Sequence, residues 1–134
     1  ALMEVNGDKF TENFWDMGTE SLKDFLVKLS HPALGVNFDP ANMVLYDKGD
    51  PVSALETLTP WVKHIHIKDA RRSAVAGQWG EEVPWGDGDC DNYEFLKTLN
   101  RIGYQGALAI EREAGSKRLE DIQHAALSLS KFSF

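Results

Sequence analysis

His64-Ile65-His66-Ile67-Lys68-Asp69 is the stretch on which the reading of the chain turns. Strict alternation marks it as a short strand, with Val62, His64, His66 and Lys68 on one side and Lys63, Ile65, Ile67 and Asp69 on the other. Two imidazoles side by side on a strand suited to burial need partners. Either they are hydrogen-bonded to backbone as structural side chains, or a divalent metal satisfies them. The neighbouring segments bear on the choice, because other apolar runs in the chain also end in a carboxylate.

Working outward, Leu34 to Phe38 forms an apolar run closed by Asp39-Pro40, and Gly106 to Ile110 one closed by Glu111. Ala1 to Val5 is a third, interrupted by Glu4. Between them lie helical patterns. Leu22, Phe25, Leu26 and Leu29 recur at helical spacing over Thr19–Leu29, capped at Gly18 or Thr19. Asp50-Pro51 opens a second helix, whose stripe of Leu55, Leu58 and Trp61 runs to about Val62. Tyr93 to Ile102 is a third, ended by Gly103, and Leu119 through Leu129 a fourth. Residues 9–17 read as a loop with aromatic anchors, Asn42 to Tyr46 as a loop or short helical turn, and Ala70 to Asp89 as a long polar loop.

Strands and helices therefore alternate four times, which implies parallel strands joined by right-handed crossovers. Such an α/β chain is a small open sheet or a (βα)4 half of a TIM-type barrel, a full barrel taking about 250 residues. In both, ligands collect at the C-terminal ends of the strands. Those ends hold Glu4, Asp39, His66 and Glu111. Three carboxylates and one imidazole suit Mn²⁺, Mg²⁺ or Co²⁺, and Zn²⁺ less exclusively. Each acid taken singly is better explained as a helix cap or a solvated loop residue, a reading that weakens for four strand ends in succession.

The 134 residues fit one domain, residues 1–134, able to bury a core. With 21 acidic against 14 basic side chains and a formal charge of -7, the chain is poorly suited to nucleic acid or to an anionic membrane. No run has the length of a membrane span, the start lacks the pattern of a signal peptide, and the single Cys90 fits a reducing compartment, so a cytoplasmic location is expected. Asp87-Gly88-Asp89-Cys90-Asp91 looks like a calcium loop but has Asn92 and Thr98 where glycine and glutamate are needed.

Three motifs taken together, Gly35-Val36-Asn37-Phe38-Asp39-Pro40-Ala41-Asn42-Met43, His64 to Ala70, and Gly103 to Glu113, resemble the sugar phosphate isomerase/epimerase family, the xylose isomerase-like barrel group that includes ketose 3-epimerases. The likeness runs from about Thr19 to Gly115 and corresponds to the last half of the family's barrel. It implies Asp39, His66 and Glu111 as metal ligands, with Glu4 as the first ligand and Asp16 as its rival. It also implies a small sugar or sugar-phosphate substrate, with Glu4 and Glu111 on its two faces moving a proton next to a carbonyl. Arg72 and Asn42 fall where 3-epimerases contact substrate, although Asn42 replaces a histidine. His64 sits beside the metal and substrate, as a contact or as a support behind the ligands, or is purely structural. Lys68 and Asp69 line the substrate mouth or form a solvated pair of little energetic weight.

A parallel half-barrel exposes two sheet edges and an inner face, expected to be apolar, so closure by a homodimer or by a separate N-terminal half is expected. A non-catalytic half-barrel, an assembly or binding module with a vestigial metal site, is the second function class. Endonuclease-like hydrolysis fits less well, given only four histidines and the acidic balance.

Overall fold

The computed structural model describes the backbone of Leu2–Glu4 and residues 18–133. Along these residues run β1 (Leu2–Glu4), α1 (Thr19–Leu29), β2 (Gly35–Phe38), α2 (Pro40–Leu45), α3 (Pro51–Leu58), β3 (Val62–Ile67), β4 (Asp69–Arg71), β5 (Glu81–Val83), α4 (Asn92–Arg101), β6 (Leu108–Ile110) and α5 (Arg118–Ser130). The main sheet is parallel, ordered β1-β2-β3-β6, and open at both ends. The alternation read from the sequence is thus an open parallel α/β sheet. The loop expected over residues 9–17 lies outside the described residues.

Pleating assigns the two faces of this sheet opposite chemistries. Val36, Phe38, Ile65 and Ile67 point to one side and pack with Leu22 and Leu26 of α1, Leu55 and Leu58 of α3, and Phe95 and Leu99 of α4. Phe38 and Phe95 stack with ring centroids 5.9 Å apart. Burial of this kind, about 1.5–3 kcal/mol per large side chain, stabilises the sheet against its helices. The opposite face carries Asn37, His64, His66 and Lys68, so the expectation of an apolar inner face is corrected: the described part of that face is polar. Leu29, expected on the inward stripe of α1, is 49% exposed.

Local chemistry ends and starts the helices where the sequence suggests. Asp50 caps α3, accepting from Ser53 N–H at 2.7 Å, with Pro51 in the first position. Asp91 caps α4 from a left-handed backbone conformation (φ 49°). The segment before β3 tightens into a single 3₁₀ turn, Thr59–Trp61.

The stretch Ala70 to Asp89 is not the irregular loop its composition suggests. β4 and β5 form an antiparallel hairpin, Asp69 opposite Val83 and Arg71 opposite Glu81. Its arms are three residues each, too short to show a period in the sequence, and tertiary contacts define them. Gly80 N–H donates to Leu45 O at 2.8 Å, which ties the hairpin to α2. Among the described residues no helix is long and apolar enough to cross a membrane.

Candidate metal centre

Asp39 follows β2 directly and is also the N-cap of α2. Its Oδ1 accepts from Asn42 N–H at 3.0 Å, and this cap fixes the carboxylate so that Oδ2 points over the polar face. His66 lies on β3. Glu111 continues β6, its N–H donating to Ile67 O at 3.1 Å. Three successive strands of the sheet therefore each deliver one side chain to the same corner. His66 Nδ1 is 3.1 Å from Glu111 Oε2 and 3.5 Å from Asp39 Oδ2. One ligand atom from each of Asp39, His66 and Glu111 lies within 4.8 Å of the others. Their side chains are 0%, 11% and 28% exposed respectively, so Glu111 is the most open to solvent.

Lys68 stands beside this group, its side chain 2% exposed, with Nζ 2.6 Å from Glu113 Oε2 and 3.1 Å from Glu111 Oε2. Asp69 is 1% exposed. Its carboxylate accepts from the N–H groups of Gly86 at 3.0 Å and Gly88 at 3.1 Å, and from Asn92 Nδ2 at 2.6 Å. A solvated pair of little weight is therefore not what Lys68 and Asp69 form: both are buried and each has several charged or hydrogen-bonding partners. Glu82, from β5, accepts from Arg112 Nη1 at 2.7 Å and from the N–H groups of Glu113 and Ala114, so the hairpin anchors the segment after β6.

The remaining residues singled out in the sequence fall as follows. Glu4 ends the edge strand β1, its backbone in register with Asn37. Its side chain, and Asp16 altogether, lie outside the described residues. Asn42 is buried next to Asp39. The Arg72 guanidinium donates to Asp47 Oδ1 at 2.8 Å and Gly49 O at 2.7 Å, clasping the turn between α2 and α3. His64 Nδ1 lies 2.7 Å from Asn37 Oδ1, and Asn37 Nδ2 lies 3.3 Å from His66 Nε2, so His64 reaches His66 through an intervening amide. Trp85 is core, whereas Trp79 is 76% exposed and meets Tyr46 edge-on. Cys90 is buried, and burial together with the Asp69 charge pushes its thiol far above the ordinary range, consistent with an inert residue.

Sequence reasoning missed Asn37, Glu82 and Glu113. Asn37 shares the alternation of Asp39, two residues on, and that parity was a usable signal. Nothing local marks Glu82, whose role depends on the hairpin.

A family model described as xylose isomerase-like TIM barrel matches residues 4–132. The chain is 26% identical over 122 residues to a ketose 3-epimerase of Arthrobacter globiformis, covering 91% of this chain and 37% of that protein. It is 25% identical over 114 residues to an inosose dehydratase of Clostridium tetani, covering 76% of this chain and 38% of that protein. A xylose isomerase domain protein from Planctomyces limnophilus superposes with a TM-score of 0.76 at 39% identity, over 85% of this chain and 42% of the other. The chain thus spans about two fifths of the length of these relatives.

Proposed function

The chain belongs to the xylose isomerase-like TIM barrel family, and from that premise we propose that residues 1–134 act as one domain, βα units five to eight of a metal-dependent sugar or sugar-phosphate isomerase or epimerase. The observation that carries this reading is the convergence of Asp39, His66 and Glu111 from three adjacent strands. The donor set fits a divalent cation. Asp39 Oδ2 is buried and accepts no hydrogen bond among the described residues, a costly condition that a bound cation relieves. Two oxygens and one nitrogen suit Mn²⁺, Mg²⁺ or Co²⁺, and Zn²⁺ less selectively.

When bound, such an ion supplies Lewis-acid polarisation of a substrate carbonyl. Glu111, the most exposed of the three, is assigned to take a proton from the carbon beside that carbonyl or to return one. Glu4, ending the strand next to β2, is assigned as fourth ligand and as the partner base on the other face of the sugar. Lys68 restrains Glu111 through its 3.1 Å contact. Asn42 and Arg72 are assigned to the substrate, and Arg72 must give up Asp47 to reach it. His64 acts from behind His66 rather than on the sugar.

A second reading of the same site is favoured by the inosose dehydratase similarity. Proton removal is then followed by loss of a hydroxyl as water instead of return of the proton.

The test uses the protein carrying this chain, stripped of metal and reloaded with Mn²⁺, incubated with ketoses and inososes in deuterated water. One Mn²⁺ per site and deuterium at the carbon next to the carbonyl are expected. Asp39→Asn and His66→Ala should lose both, and Glu111→Gln should slow exchange by at least about 100-fold. Mn²⁺ binding unchanged in Asp39→Asn and His66→Ala ends the reading. Release of water selects the dehydratase chemistry, and metal binding without any turnover selects the non-catalytic module.

A further inference from the structure

His66 can offer a lone pair from only one ring nitrogen at a time, because a neutral imidazole carries its single proton on the other. Nδ1 is the nitrogen that faces Glu111 and Asp39. Nε2 faces Asn37 Nδ2 at 3.3 Å, and Asn37 Oδ1 lies 2.7 Å from His64 Nδ1. The sheet register pairs Asn37 with His64, and Asn37 is 5% exposed, so the amide is held between the two rings within the fold.

This chain of contacts has a direction. With Oδ1 turned to His64, that ring donates from Nδ1; with Nδ2 turned to His66, Nε2 accepts. His66 then holds its proton on Nδ1, the nitrogen 3.1 Å from Glu111 Oε2, and has no lone pair to offer on that side. A divalent cation needs the reverse, with Nδ1 bare and the proton on Nε2, donated to an acceptor behind the ring. Turning the Asn37 amide over supplies that acceptor. Oδ1 then receives Nε2–H, Nδ2 donates to His64 Nδ1, and His64 carries its proton on Nε2. Each ring keeps one proton throughout, relocated by exchange with solvent.

We propose that Asn37 is a two-position amide that selects which nitrogen of His66 is available to a divalent cation, with His64 supporting either orientation. The inference rests on the metal-centre reading above and assigns the positioning residues behind it. Asparagine serves both states because one end of its amide donates and the other accepts. Aspartate only accepts, and leucine does neither.

Two measurements test it: Mn²⁺ affinity by titration calorimetry, and long-range ¹⁵N NMR of the imidazoles, which reports which ring nitrogen carries the proton, at a pH where the rings are neutral. In the metal-free wild type, His66 should be protonated on Nδ1. Asn37→Asp should move that proton to Nε2 and bind Mn²⁺ at least as tightly as wild type. Asn37→Leu, folded by circular dichroism, should bind about 10–100-fold more weakly. Wild-type affinity in folded Asn37→Leu, or a metal-free His66 already protonated on Nε2, overturns the proposal. Should Asn37→Leu fail to fold, the Asn37→Asp spectrum still decides it. Failure of the metal centre reads out separately, as wild-type protein that binds no Mn²⁺ or whose affinity survives Asp39→Asn.

Discussion

At Lys68 four carboxylates share one ammonium, those of Glu113 at 2.6 Å, Glu111 at 3.1 Å, Glu82 at 3.6 Å and Asp39 at 3.8 Å. Burial works against its charge, but Asp39 and the hydrogen bonds to Glu113 and Glu111 outweigh burial and hold the ammonium well above the ordinary lysine range. A raised folded value means that this stabilisation is complete below the unfolded value of 10.5 and fades only as pH rises past it. Lys68 is therefore a constant positive charge beside the metal centre across the neutral range. Glu82 behaves in the opposite sense. Burial raises its value, yet the hydrogen bonds from Arg112, Ala114 and Glu113 and the Lys68 charge bring it below the ordinary 4.5. Its contribution is present above 4.5 and lost as pH falls through the lowered folded value. Glu82→Gln should cost about 1.5–3 kcal/mol at neutral pH in urea unfolding, and the difference from wild type should close in acid. A difference that stays constant into acid overturns the assignment. Asp39 and Glu111 were legible because each closes an apolar run, and His66 because it alternates with Ile65 and Ile67 on one strand. Glu82 was not, because its partners lie about thirty residues away and meet it only through the hairpin.

The element that most separates sequence from structure is the segment after β3. Its hairpin and the turn that follows are organised by Asp69, a buried anion surrounded by the N–H groups of Gly86, Gly88 and Cys90 and the Asn92 amide. Gly88 is required there by close approach, since a Cβ would collide with the Asp69 carboxylate and Ala70 O. Asp69→Asn, which turns an amide NH₂ toward donors, and Gly88→Ala, which forces the turn outward, should each destabilise by about 1–3 kcal/mol. Both should also speed amide exchange at Gly86, Gly88 and Cys90. Protection at those amides equal to wild type would show that the turn holds without Asp69. Composition marked this region as polar and glycine-rich, and it could not show that one carboxylate gathers the donors.

At the scale of the whole molecule, the sheet formed by the described residues is a strip with β1 and β6 at its edges. The outer helices carry matching apolar surface, Val27 and Leu29 on α1 and Leu119 and Leu127 on α5, all about half exposed or more. Unpaired strand edges and flanking apolar side chains favour further association. We expect residues 1–134 alone to form a homodimer in size-exclusion chromatography with light scattering, with β6 amides protected from exchange. A monodisperse monomer with freely exchanging β6 amides overturns this. The polar inner face bears on how closure occurs, because any facing surface must accommodate Asp39, His66, Lys68 and Glu111 as well as cover the edges.

By itself the sequence determined the alternation of strands and helices and the family resemblance. It also supplied the three acids and bases at the strand ends, because pleat, helical period and chain order are local properties. Only the tertiary structure decided that these side chains meet at one corner, that Asn37 joins His64 to His66, and that a hairpin holds Glu82 against the segment after Glu111. Those contacts depend on strand order and register, which are set by burying one face of the sheet under helices distant in the chain.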